Sequence, residues 1–189
     1  MKLTKILGVV AVAAMALMAF ASTASATTLE VGGVAKNEAV TIKASLKENS
    51  ALLTDTNNIS ANTCTTSTVE GKTSTFTGAA VEGPISALSW SNCTQGNPTV
   101  DAKGSLSVTN ISGTTNGTVR STGANVTVPS FFGNLTCTTS NTDLGTLNGK
   151  KEGSATMTIN AVLSCTVIGT ARWSGTYTVT SPSGLGVGA

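Results

Sequence analysis

Four cysteines, Cys64, Cys93, Cys137 and Cys165, are the residues whose types and spacing could do chemistry in this chain. Cys64 and Cys93 lie 29 positions apart, and Cys137 and Cys165 lie 28 apart. The first member of each pair sits in the same pentapeptide, Thr63-Cys64-Thr65-Thr66-Ser67 and Thr136-Cys137-Thr138-Thr139-Ser140. The second members sit in Asn92-Cys93-Thr94 and Ser164-Cys165-Thr166. Metal or redox chemistry would call for a C-x-x-C pair or a histidine partner, and the chain contains neither. An even cysteine count in an exported chain predicts two structural disulfides. The echo selects Cys64–Cys93 and Cys137–Cys165, each stapling one copy of a repeated β unit, 63–94 and 136–166.

The absence of histidine removes Ser-His-Asp and Cys-His nucleophiles, the common zinc hydrolase sites and imidazole acid–base catalysis. No phosphate-cradling loop or EF-hand loop is present. Paired carboxylates of the glycosidase kind remain formally available, Glu70 with Glu82 and Asp143 with Glu152, one pair inside each cysteine loop. Nine acids spread over so long a chain read instead as a solvated surface. No catalytic residue, cofactor or metal ligand is therefore predicted. The candidate ligand contacts are aromatic: Trp90, Phe131, Phe132, Trp173 and Tyr177. Outward-facing, Trp90, Trp173 and Tyr177 would stack on sugar rings. Trp173 and Tyr177 share the apolar parity of their segment, however, which favours a core position. The adjacent Phe131 and Phe132 point one ring each way, placing one at the surface or in a contact.

The elements that carry these residues are strands. Ala155 to Cys165 alternates with apolar residues at odd positions, and Trp173, Gly175, Tyr177 and Val179 alternate against Ser174, Thr176, Thr178 and Thr180. Val40 to Ala44, Leu106 to Val108 and Val126 to Val128 repeat the pattern more briefly. Turn signals separate them at Gly32-Gly33, Gly83-Pro84, Gly96-Asn97-Pro98, Asn116-Gly117, Asn148-Gly149 and Ser181-Pro182. Beyond residue 26 no 3.6-residue apolar stripe is convincing; Ala35 to Leu53 reads as strand plus loop. The prediction is an all-β fold, an antiparallel β-sandwich or partly open barrel of about eight to ten strands with two disulfides. Gly184 to Gly188 reads as a flexible tail.

Residues 1–26 have the layout of a cleavable signal peptide: Lys2 and Lys5, an apolar run from Ile6 to Ala21, and Ala24-Ser25-Ala26 as the cleavage site. The apolar run is short for a membrane span. A cut after Ala26 leaves one secreted β domain, 27–189, with nine basic and nine acidic residues. That neutral balance gives no electrostatic case for nucleic acid or anionic membrane, and no span of membrane length remains.

The opening Thr27-Thr28-Leu29-Glu30-Val31-Gly32-Gly33 and the closing Ser181-Pro182-Ser183-Gly184-Leu185-Gly186-Val187 resemble a group of small secreted proteins from actinobacteria, over the whole mature length. The layout of signal, Thr/Ser-rich strands and paired cysteines is also similar to that of PraB-like secreted proteins of pseudomonads. The resemblance implies a secreted all-β domain and no activity. The expected function is non-enzymatic: binding or assembly at the cell surface or in the extracellular matrix, with self-association through Thr-rich edge strands and a donated segment Thr27 to Val34. The alternatives are a carbohydrate-binding or carbohydrate-active module and a small-ligand carrier with an interior pocket.

Overall fold

The computed structural model describes residues 26–47 and 51–189; the predicted signal segment and its cleavage lie outside the described residues, apart from Ala26. The described chain is all β. In order, the strands are β1 (Thr27–Val31), β2 (Val34–Ala35), β3 (Thr41–Leu46), β4 (Ala51–Thr54), β5 (Ser60–Lys72), β6 (Thr77–Gly78), β7 (Val81–Cys93), β8 (Thr99–Ala102), β9 (Ser105–Asn110), β10 (Gly117–Thr122), β11 (Asn125–Ser130), β12 (Gly133–Thr138), β13 (Thr142–Asn148), β14 (Thr156–Cys165), β15 (Gly169–Ser181) and β16 (Leu185–Gly188).

The predicted all-β antiparallel fold is present, and in place of a sandwich or partly open barrel it is a closed barrel. Eight strands form the ring, in the order β3-β5-β7-β9-β10-β13-β14-β15, and β3 closes it by pairing with both β5 and β15. Each strand of the ring neighbours the next, so the topology is up-and-down. A sandwich leaves edges at both sheets, whereas closure pairs the first ring strand with the last and leaves the ring no edge strand. Four further strands, β4, β8, β11 and β12, extend the wall at one end. A second sheet, β16-β1-β2 with β6 on β1, lies outside this ladder.

The repeated unit predicted from the cysteines extends into the wall itself. β3 and β4 pair successively along β5, as β10 and β11 pair along β13 and β12. β5 then pairs with β7, as β12 and β13 pair with β14. Both disulfides form as predicted, Cys64–Cys93 and Cys137–Cys165, each between directly opposed strand residues. Their flanking threonines make the same two contacts: Thr94 N donates to Thr63 O (2.9 Å), and Thr63 N to Thr94 Oγ1 (3.2 Å). Thr166 N likewise donates to Thr136 O (3.0 Å), and Thr136 N to Thr166 Oγ1 (2.9 Å). The halves differ at Ser140-Asn141, where Asn141 takes a left-handed φ of 52° and splits β12 from β13 while β5 runs unbroken.

Apolar residues face inward. Ile159, Ala161 and Leu163 of β14 are buried, as are Ala171, Tyr177 and Val179 of β15, while Thr158, Asn160 and Ser164 are exposed. This apolar-in, polar-out alternation is the reverse of a membrane-spanning barrel. Among the described residues no helix is long and apolar enough to cross a membrane.

The segment expected to be a tail is a buried strand. β16 pairs with β1 (Leu29↔Val187, Val31↔Leu185), and Leu185 and Val187 join the core. Gly186 lies against Gly149, where a side chain at residue 149 would collide with the Thr115 carbonyl and the Gly186 Cα. Asn110 Nδ2 reaches Val187 O (2.8 Å) and Thr114 O (2.8 Å), and Asn110 N donates to Thr27 Oγ1 (3.0 Å), which ties β1 and β16 to the barrel. The segment considered as a donated strand, Thr27 to Val34, is thus paired within its own chain through β1 and β2.

Candidate functional site: the barrel lumen

The alternation that buries apolar residues also aims them at a common axis, and eight strands leave an interior only just filled by side chains or able to hold one small ligand. Among the described residues two chambers lie along this axis. The first, about 90 Å³, lies among residues such as Ala51, Leu88, Trp90, Pro98, Leu163 and Trp173. The second, about 100 Å³, lies among Ile42, Val81, Val108, Val119, Leu147 and Leu185. Val69, Ile85, Leu106 and Met157 line both, so these four side chains, from β5, β7, β9 and β14, form the partition. No charged residue lines the first chamber; Lys72 and Glu82, both exposed, border the second.

Three of the five predicted ligand contacts come together in the first chamber. Trp90 and Trp173 meet edge to face with ring centroids 5.7 Å apart, and Trp173 meets Tyr177 in the same way at 6.3 Å. Such arrangements set the positive edge of one ring against the negative face of the next. Tyr177 is 1% exposed. Its hydroxyl donates to Ser67 Oγ (3.0 Å), which donates to Ser89 O (2.9 Å). This chain joins β15 to β5 and β7 and leaves the phenol with a partner inside an apolar space. Phe131 and Phe132 are elsewhere, at the β11–β12 turn; Phe131 is exposed and Phe132 packs on the core, but their rings lie together, centroids 4.0 Å apart, rather than one each way, because they sit in a turn and not on a strand.

Burial pushes the Tyr177 phenol above its ordinary value of 10.0, against the lowering effect of its side-chain hydrogen bonding with Ser67 and Trp90. A raised folded pKa means that the phenol's contribution is complete below about pH 10 and is lost as pH rises through the folded value. The melting temperature should therefore fall above pH 10 more steeply for the parent than for Tyr177→Phe. The variant should also lose about 1 kcal/mol at neutral pH with the hydroxyl's hydrogen bond. Paired thermal melts from pH 8 to 11.5 read both effects.

The wall is not uniform around the ring. β14 and β15 are laddered from Thr156↔Thr178 to Cys165↔Gly169. The corresponding seam in the other half, β7 with β9, is laddered only from Val81↔Val108 to Pro84↔Ser105. Beyond it β8 turns away to pair with β11. Leu88 and Trp90 on β7 and Pro98 before β8 flank this unpaired stretch and line the first chamber. This break in the ladder is the candidate portal. The end above it is held by Asn62, 2% exposed, whose Nδ2 donates to Gly96 O and Pro129 O (both 2.9 Å) and whose Oδ1 accepts from Thr94 Oγ1 (3.2 Å) and Gln95 N (3.3 Å). A lone Asn on a Thr-rich strand carries no pattern, and the one sequence signal at Asn62 is its place two residues before Cys64.

The carboxylates considered as a glycosidase pair do not line the first chamber. Glu70 pairs with Lys43, directly across the β3–β5 ladder (3.1 Å), and Asp143 with Arg120 across β10–β13 (2.6 Å). Such exposed cross-strand pairs are solvated charges of small energetic effect. Glu82 and Glu152 are exposed. Among the described residues no three acidic or cysteine side chains converge as metal ligands.

Fold and site together define a small disulfide-stapled, eight-stranded up-and-down barrel with a divided apolar lumen. No family model, curated protein or solved structure matches the chain.

Proposed function

We propose that the protein is an exported, non-enzymatic binding protein that carries a small apolar molecule in the barrel lumen. The observation that carries this reading is the pair of adjoining apolar chambers, the first of them beside the break in the β7–β9 ladder. Each is smaller than the ~150 Å³ apolar cavity that accepts benzene, and together they exceed it. The ligand class is a single ring or a short aliphatic chain, because the first chamber offers aromatic faces and the partition includes Met157, an unbranched side chain that readily changes shape. Two disulfides fit the oxidising compartment that export would provide, in keeping with the signal layout and the resemblance to secreted actinobacterial proteins.

Trp90 and Trp173 are the only tryptophans in the sequence, and both line the first chamber, so intrinsic emission reports its occupancy directly. Titration with straight-chain alcohols of increasing length, and with toluene, should give a saturable change in emission. Val69→Phe, which fills the partition, should weaken binding at least tenfold while circular dichroism retains the parent's β signature. A strictly linear, non-saturating response of the parent protein to every member of the series would remove the proposal.

A further inference from the structure

Four turns crown the end of the barrel that carries the disulfides: β4–β5 (Asp55–Ile59), β7–β8 (Thr94–Pro98), β11–β12 (Phe131–Phe132) and β14–β15 (Thr166–Ile168). They share one end because β5 and β12 both run away from their turns toward Cys64 and Cys137, opposite the last residues of β7 and β14. The only ionisable residue in these turns is Asp55, and it is turned inward: Oδ1 accepts from Asn57 N (2.9 Å) and Ile59 N (2.8 Å), and the residue is buried. Three of the turns present large apolar side chains to solvent, Ile59, Phe131 (54% exposed) and Val167 (75%). The opposite end also exposes Val34 and Ile111, but among Lys36, Glu38, Lys150, Lys151 and Glu152.

Val167 is the telling residue. Among the described residues, four that are not glycine take a left-handed φ, and three of them are Asn58, Asn92 and Asn141. Asparagine tolerates that region; a β-branched residue there is a genuine outlier with a cost in strain. The fourth is Val167, at φ 68°. The turn thus places an apolar, β-branched side chain where glycine or asparagine would be relaxed, and exposes it. Neither local conformation nor core packing accounts for it.

We infer that this uncharged end is a docking surface for a lipid bilayer, in which Phe131, Val167 and Ile59 insert at the interface while the neutral Thr, Asn and Gln of the turns meet the headgroups. Exposed apolar side chains on turns without free charge fit insertion into a bilayer interface, and give anionic lipid no electrostatic advantage. Single apolar side chains on separate turns offer insertion points rather than the continuous face, about 800 Å² per partner, that a stable second copy would need. The portal beside β7 opens under the same crown, so docking would place it near a reservoir of apolar molecules. The docking inference does not depend on lumen occupancy.

Protein produced from the full sequence and processed on export should co-sediment with phosphatidylcholine vesicles, equally at low and high salt. Val167→Asn should leave the melting temperature unchanged or raise it, since the strain is relieved, yet reduce the bound fraction; with Phe131→Ser added, the partition coefficient should fall at least tenfold. The same substitutions should leave the tryptophan titration unchanged, which separates failure of docking from failure of the lumen reading. Absence of vesicle binding by the parent, binding that requires anionic lipid and disappears with salt, or a concentration-dependent dimer abolished by Val167→Asn would each overturn the inference.

Discussion

Replacing Cys137 and Cys165 together with serine should destabilise the barrel by roughly 3 to 4 kcal/mol, the chain-entropy value for a closed loop of about 30 residues. Cys64 and Cys93 close a loop of almost the same length, 29 against 28 positions, so loop entropy alone predicts the same loss for that pair. The two replacements should nevertheless differ in where the structure loosens. The Cys64–Cys93 staple lies on the long β5–β7 ladder, which runs to Gly71↔Ile85 and holds the strands without it. The Cys137–Cys165 staple lies where β12 meets β14, a pairing of only Cys137↔Cys165 and Thr138↔Ser164. β11 and β8 hang from β12 in turn. Hydrogen exchange should therefore quicken selectively across 99–102 and 125–138 in the Cys137/Cys165 variant, and not in the Cys64/Cys93 variant. Matching exchange patterns in the two variants would contradict this account of the wall, whatever the melts show.

The second large effect belongs to Asn62. It is buried and fully partnered, with two donors and two accepted hydrogen bonds spanning β5, the β7–β8 loop and β11. Truncation to alanine removes all four bonds and strands the carbonyls of Gly96 and Pro129, at about 1 kcal/mol per lost bond, or roughly 3 to 4 kcal/mol in all. Asn62→Asp is nearly the same shape and should cost more at neutral pH. It would bury a charge and oppose a carboxylate to the two carbonyls that the amide nitrogen now serves. The difference should shrink at low pH, where protonation of the carboxyl restores a donor. Chemical denaturation of both variants at pH 7 and pH 4 gives the ordering; an Asp variant as stable as the parent at pH 7 would show that Asn62 does not hold this end shut.

Much of the strand content was legible because alternation is a local property. Ala155 to Cys165 and Trp173 to Val179 read correctly residue by residue, since β14 and β15 are long and regular. The cysteine pairing was legible because the repeat marked it twice. Closure into a barrel was not: a sandwich and a barrel demand the same inward alternation, and the difference lies in β3 meeting β15, more than 120 positions away. The inward aim of Trp90 was also hidden. Ser86 is an extra residue opposite Glu70-Gly71, so Ile85 and Trp90 both face the lumen despite opposite parity. β16 was misread because Leu-Gly-Val-Gly is short and flexible by itself; its order comes from β1, far away in the chain. The chambers and the portal depend on how side chains meet across the lumen and on a ladder that stops at Pro84, and neither leaves a trace in local pattern.

The central claim is that the lumen is divided, apolar and open to small molecules. Crystals of the processed protein pressurised with xenon test it most directly, because apolar cavities of this kind bind xenon while polar ones hold water. The expected result is xenon density on both sides of the Val69, Ile85, Leu106 and Met157 partition, next to Trp90 and Trp173 on one side and next to Leu147 and Leu185 on the other. A lumen filled by side chains, with no xenon in either chamber, would contradict it.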